Sequence, residues 1–262
     1  MSSYVVTGAA RGIGFEFIAQ LSAESQNTVF ALVRNKATTT KLNALPRNNI
    51  TVLEADITDA KALELAAGEV SQATGGKLDY LINNAAISNH PGFTLDKFPS
   101  AEAVEKDLLN NFKVNTIGVV HTTNAFLPLL RKGKAKKVVT LSTGLADLKL
   151  TLAAEAAGQA PYSISKAALN MVVAKYAAQL KGEGFTFLAI SPGLVNTSVS
   201  APTTNELEEI KMLSKSLAKV APDFKGPITP EESVKMCLKV INRWGVEETG
   251  TFVSHHGNKQ WL

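Results

Sequence analysis

The 262-residue chain holds one cysteine, Cys237, so no intrachain disulfide framework can form. That excludes a disulfide-stapled secreted scaffold and makes a reducing, cytoplasmic location the expectation. Cys237 lies in "EESVKMCLKVI", an amphipathic helical pattern in which a small buried thiol is expected rather than a nucleophile. No apolar run approaches the roughly 18 residues of a membrane-spanning helix. The start, "MSSYVVTGAA", lacks the basic flank and apolar core of a secretory signal, so no membrane partner is expected. Histidine is scarce: His90, His121 and the pair His255–His256 show no metal-ligand spacing, and the pair reads as ordinary surface. The net charge of +4 is mild, and its densest basic stretch, "RKGKAKK" (131–137), contains no aromatic residue. It reads as a solvated connector, and a nucleic-acid partner is not expected. Repeats, low-complexity linkers and composition breaks are also missing, which points to a single domain over 1–262.

What the chain does have is a regular alternation. Apolar, β-branched runs at 4–8, 28–33, 50–56, 80–85, 136–142, 185–191 and 250–254 are separated by helical patterns near 13–25, 59–73, 101–130, 161–182 and 231–243. Most of the runs are apolar throughout rather than alternating, as strands buried on both faces must be. The expected fold class is α/β: a doubly wound, mostly parallel seven-stranded sheet with helices on both faces. The 45% hydrophobic content allows the sizeable core that such a sheet needs.

The first strand runs directly into "TGAARGIG" (7–14) and a helix. Glycines at 8, 12 and 14 let the backbone turn sharply and approach a diphosphate, whose charge the helix N-terminus favours. Further along, "PYSISKAALN" (161–170) places Tyr162 and Lys166 one helical turn apart, a phenol beside an ammonium group. With "NNAA" (83–86), "KVNTIG" (113–118) and "SPGLVNT" (191–197), these motifs resemble the short-chain dehydrogenase/reductase family over essentially the whole chain and in the family's order. "YSISKAALN" is most similar to its carbonyl-reductase-like branch.

The resemblance implies a Rossmann-like domain that binds a nicotinamide cofactor and moves a hydride between it and a carbonyl or secondary alcohol. Tyr162 would be the general acid and base, and a lysine ammonium nearby would lower its pKa from the usual value near 10. Lys166 would also bind the nicotinamide ribose, and Asn115 would position a water linking Lys166 to solvent. Cofactor contacts are implied at Gly8, Arg11, Gly12, Ile13 and Gly14, at Asp56 and Ile57, and at Asn83 and Ala85. Tyr162, Lys166, Pro192, Gly193, Val195 and Thr197 complete that set. The carbonyl-polarising hydroxyl falls on "LST", where the family usually ends the strand in two serines and uses the second. Thr143 is the expected donor, with Ser142 as the open alternative. The resemblance leaves a homodimer or homotetramer open, through the small residues Ala167, Ala168, Ala174, Ala177 and Ala178.

Cofactor choice is read at the end of the second strand, where NAD-selective enzymes place a carboxylate on the ribose hydroxyls. Here the position is Val33, followed by Arg34, and Arg11 adds a second cation from the glycine turn. Guanidinium groups match phosphate geometry, so NADP(H) is the expected cofactor.

Two departures from the family stand out: Ala86 replaces a usual glycine, and 144–161 is longer than is common. The extra residues are expected to form a loop bordering the substrate cleft. Residues 194–230 show no strand pattern and read as a substrate loop or lid, with Leu207, Ile210, Leu213, Leu217 and Val220 on one helical stripe. A fixed core helix and a closing lid are both open there. Apolar candidates Leu145, Leu148 and Val195, with no arginine for a substrate carboxylate, favour a neutral ketone, aldehyde or secondary alcohol. The alternative reading is an NADP(H)-binding protein with a non-redox or regulatory role.

Overall fold

In the computed structural model, residues 1–88, 93–197, 204–224 and 226–261 are described, with 204–210 described in their backbone only. Seven strands form one sheet: β1 (Ser3–Thr7), β2 (Thr28–Val33), β3 (Ile50–Glu54), β4 (Tyr80–Asn83), β5 (Lys137–Leu141), β6 (Thr186–Ser191) and β7 (Thr251–Ser254). Their order is β3-β2-β1-β4-β5-β6-β7, and every pairing is parallel.

The apolar runs are explained by this burial. Side chains alternate along a strand, so Val5, Phe30, Leu81, Val138 and Phe187 enter one core while Val6, Ala31, Ile82, Val139 and Leu188 enter the other. The first core is closed by α3 (Ala60–Thr74), α5 (Gly118–Leu130) and α7 (Ala160–Leu180). The second is closed by α1 (Gly12–Leu21) and α9 (Pro230–Arg243). β3 is an edge strand, and Thr51 and Glu54 are exposed on its two faces, as the edge of a sheet tolerates. Cys237 is fully buried on α9, and burial pushes its thiol up to about 12.

Some expectations need correction. The expected helix over 101–130 is α4 (Ala101–Phe112) and α5 joined by a π-turn at Lys113–Ile117. Two short helices, α2 (Thr40–Asn43) and α6 (Leu148–Ala153), occupy segments read as loop. The basic stretch is not wholly solvated: Lys137 is buried, and its Nζ donates to the carbonyls of Ile241 (2.6 Å) and Trp244 (2.7 Å), capping α9. His255 is buried rather than superficial. In 194–230 the described residues include α8 (Thr204–Leu217), and the base of the segment is pinned where Ile228 N donates to Leu194 O at 2.9 Å. The side chains of Leu207 and Ile210, residues 198–203 and His90 lie outside the described residues. The alanine face of α7 is partly used within the chain, since a Cβ on Gly250 would lie 2.9 Å from Ala177 Cβ.

Candidate active site

The site is built on the carboxyl ends of the strands. After β1, the chain adopts left-handed backbone at Gly8 (φ +67°) and Gly12 (φ +56°), which L side chains rarely allow. A Cβ on Gly14 would lie 2.5 Å from Asn84 Nδ2, so only glycine fits. Asn84 Nδ2 donates to the carbonyls of Thr7 (2.9 Å) and Gly8 (3.2 Å), and Thr7 Oγ1 accepts the N–H groups of Asn84 and Ala85, both at 3.0 Å. The turn is thereby locked to the end of β4. Asn84, in "NNAA", was overlooked in the sequence reading.

Arg11 is the N-cap of α1 and makes no side-chain capping bond, and no acid occupies the first turn. The helix start thus keeps the positive character that an anion needs. Ala9 N donates to Leu32 O at 3.2 Å and Ala55 N to Val33 O at 2.9 Å, bringing the glycine turn and Asp56 beside the end of β2. Val33 is buried while Arg11 and Arg34 are exposed, so the cations, not the strand residue, face outward here. Asp56 Oδ1 accepts from Thr58 N and Oγ1, both at 2.8 Å, and Ile57 is buried beneath it. Asn83 turns into the core and donates to Thr123 Oγ1 at 3.2 Å, so a ligand would meet its backbone rather than its carboxamide. These residues fit a dinucleotide carrying an additional phosphate: tight glycine turn, helix start without acid, exposed guanidinium groups.

On α7, Lys166 is buried and its Nζ donates to Leu141 O at 2.7 Å, lying 5.8 Å from the centre of the Tyr162 ring. Burial pushes the Tyr162 phenol up to about 12 and the Lys166 ammonium down to about 7. The expected lowering of the phenol by its lysine is therefore not found in the protein alone. Desolvation disfavours both charged forms, and the lysine is aimed at the end of β5.

Asn115 sits in the π-turn, a distortion that recurs at functional sites. Its Oδ1 accepts from Ile87 N at 2.8 Å, while Nδ2 donates to Ile87 O at 2.9 Å and Ser165 Oγ at 3.0 Å. Ser165 Oγ in turn donates to Tyr162 O at 2.6 Å. Asn115 thus ties the segment after β4 to the first turn of α7.

Tyr162, Ser142, Thr143, Leu145 and Val195 line one cleft of about 340 Å³, together with Ile13, Pro192, Gly193 and Thr197. Thr143 Oγ1 accepts from Leu145 N at 3.3 Å, leaving its own proton to be donated elsewhere. Ser142 Oγ is buried without a hydrogen-bond partner among the described residues. Leu148 does not join the cleft: it is 79% exposed, and Leu150, two residues on along α6, takes the place expected of it. Residues 144–161 do border the cleft, through Leu145, Leu150 and Gln159, but partly as helix. Ser88, Gln159, Leu213, Leu217 and Trp261 are further lining residues. Leu213 and Leu217 had a signal in the sequence, the apolar stripe, and Gln159 lies in the segment expected to border the cleft. Below the cleft, Ser233 Oγ donates to Pro192 O at 2.7 Å, and Gly193 (φ +84°) packs on His255, whose Cε1 would be 2.7 Å from an added Cβ. Burial, then the neighbouring His256, holds His255 down at about 4.

Comparison with known proteins agrees with this architecture. The sequence model of the family described as short chain dehydrogenase matches residues 3–208. The chain is 45% identical to the short chain dehydrogenase virK of Hypocrea virens, over all of both chains. It is 47% identical to the short-chain dehydrogenase/reductase AacuF of Aspergillus aculeatus, again over all of both. Among solved structures it is similar to NADPH-bound carbonyl reductase from chicken fatty liver, with TM-score 0.80, 27% identity and 98% of each chain covered. The carbonyl reductase Sniffer of D. melanogaster shares the fold, with TM-score 0.81 and 22% identity over 98% of each chain.

Proposed function

The chain belongs to the short-chain dehydrogenase family, and from that premise we propose that it is an NADPH-dependent reductase of neutral ketones or aldehydes, running in reverse on secondary alcohols. One observation carries the choice of substrate class: among the described residues, the cleft that holds Tyr162 and the paired hydroxyls has no charged side chain in its lining. A carboxylate or phosphate substrate would have no counter-charge there, whereas a neutral carbonyl compound asks only for hydrogen-bond donors. NADP(H) is the cofactor that fits Arg11, Arg34 and the buried Val33, and the likeness to an NADPH-bound carbonyl reductase supports it.

The bound nicotinamide supplies the hydride in reduction and accepts it in oxidation. The residues of the chain do the rest. Tyr162 gives its phenolic proton to the carbonyl oxygen, and a phenol held high by burial is protonated at neutral pH, the form that an acid needs. Thr143 donates a hydrogen bond to the same oxygen as negative charge gathers on it. Lys166 would hold the ribose and, together with the positive charge of the oxidised nicotinamide, would favour the ionised phenol in oxidation. Asn115 fixes the loop after β4 on α7 and positions the water that returns a proton to Lys166. Leu213 and Leu217 cover the cleft from α8 and keep other water out. The protein works as a single domain over 1–262.

NADPH consumption across a panel of neutral carbonyl compounds tests the proposal. Turnover of at least one class is expected. NADPH binding with no consumption across the panel would favour a non-redox or regulatory role instead.

A further inference from the structure

We propose that Trp261 is a specificity-determining residue of the cleft, and that its indole selects a flat, neutral aryl ketone. The proposal rests on the reading that the cleft is where the carbonyl compound binds.

Trp261 is only 8% exposed, although it lies beyond the last strand. Its ring stacks on Phe252 at 4.5 Å between centres and 30° between planes. Its backbone end is seated on Gly144, where an added Cβ would meet Trp261 Cβ at 3.0 Å and Leu150 Cδ2 at 3.0 Å. Gly144 directly follows Thr143, so the indole is set against the residue next to the carbonyl-polarising hydroxyl.

The segment bringing it there is firmly folded. Ser254 N donates to Asn258 O at 2.8 Å, closing a turn, and Gln260 N donates to Asn258 Oδ1 at 2.8 Å. Lys259 Nζ lies 4.8 Å from the Phe252 ring centre and 5.0 Å from that of Trp261, and 3.9 Å from the Asp147 carboxylate. Asp147 in turn caps α6, accepting from Leu150 N at 3.0 Å. Lys259 therefore links the tail to the helix that carries Leu150, and Leu150, Ala154 and Trp261 form one buried cluster.

Val195 and the α8 leucines, Leu213 and Leu217, also line the cleft. A lining that combines an indole with aliphatic side chains favours a flat apolar group over a polar one. At about 340 Å³, shared with Ile13, Pro192 and Gly193 on the cofactor side, the cleft is at the small end of ligand pockets. One or two fused rings beside the carbonyl is the size that fits.

The experiment uses the full-length protein with NADPH and three ketones: 2-butanone, acetophenone and 2-acetylnaphthalene. Trp261→Ala should lower kcat/KM for the two aryl ketones about tenfold or more, mainly through KM, as expected for a lost aromatic contact. The value for 2-butanone should change less than about threefold, and Trp261→Phe should restore most of the aryl preference. NADPH affinity should be unchanged in both variants. A loss of equal size for all three ketones, or one matched by a loss of NADPH affinity, would overturn the proposal and leave Trp261 a packing residue.

A second measurement needs no turnover. The chain has two tryptophans, so Trp244→Phe leaves Trp261 as the only indole. With saturating NADP⁺, which cannot reduce a ketone, 2-acetylnaphthalene should quench its emission saturably, and 2-butanone should not. Absence of quenching would also overturn the proposal. If the unmodified protein reduces none of the ketones, the reductase reading fails by itself and quenching alone decides the place of Trp261. The same measurement decides if Trp261→Ala does not fold.

Discussion

Tyr162 and Lys166 are spaced to share one face of α7, yet the protein gives them different surroundings. The lysine is aimed at Leu141 O and the phenol faces the cleft. Removing the phenolic oxygen should abolish proton transfer and little else. Tyr162→Phe is expected to lower kcat by about 10²–10⁴, the usual contribution of a general acid. NADPH affinity measured by titration should stay within about twofold, and retention of most activity would exclude Tyr162 as the acid. For the polarising hydroxyl, Thr143→Val should cost about 10²–10³ in kcat, as other oxyanion donors do. Ser142→Ala should be mild, and the opposite ranking would move the role to Ser142. The identities of these residues were legible in the sequence because the motif fixes their types and order. Their ionisation was not, because desolvation depends on what tertiary packing brings around a side chain. Leu148 shows the same limit: Leu148 and Leu152 are both 79% exposed on one side of α6 while Leu150 turns inward. A six-residue helix is too short for spacing to set its phase.

Strands were the easiest elements to find, because most bury both faces and leave an apolar run. The π-turn at 113–117 was not legible: it is a single turn within a continuous helical pattern, and the bonds that Asn115 makes from it, to Ile87 and Ser165, join residues distant in sequence. Nor was the burial of Lys137, which looks like its basic neighbours until the end of α9 is placed over it. Trp261 had no local signal at all, since the partners that bury it come from residues 144–154 and 252. The end of β2, by contrast, states its preference openly. There an acid would compete with the 2′-phosphate of NADPH, and Arg34 is expected to pair with it. Arg34→Asp should weaken NADPH by about 10- to 100-fold, the worth of a charge-assisted hydrogen bond, and strengthen NADH. Binding titrations of both nucleotides check this; equal affinities in the unmodified protein would refute the assignment.

Burying an amine and a phenol ties the stability of the entire sheet to pH. Lys166 titrates near 7 in the folded chain against 10.5 ordinarily, so between those values the unfolded chain binds more protons and stability rises with pH. Tyr162 keeps its proton to about 12 against 10.0, so above pH 10 the folded chain binds more and stability falls again. Burial of the Cys237 thiol, held up to about 12 against 9.0, acts in the same sense from about pH 9, so melting temperatures without added nucleotide should climb from pH 7 towards 9 and then decline, and Lys166→Met should flatten the climb. An unchanged profile in that variant would mean that another group sets it. The strand order has a consequence of a different kind, for the chain as it is synthesised. Once β1, β2 and β3 have paired, β4 joins the free edge of β1, and β5, β6 and β7 each join the edge left by the strand before. A nascent chain emerging from the ribosome thus always offers one growing edge to its own next strand, and that edge is covered in turn. The glycine turn lies among the first strands to pair and Trp261 beyond β7, so the diphosphate end of the site is assembled well before this wall of the cleft.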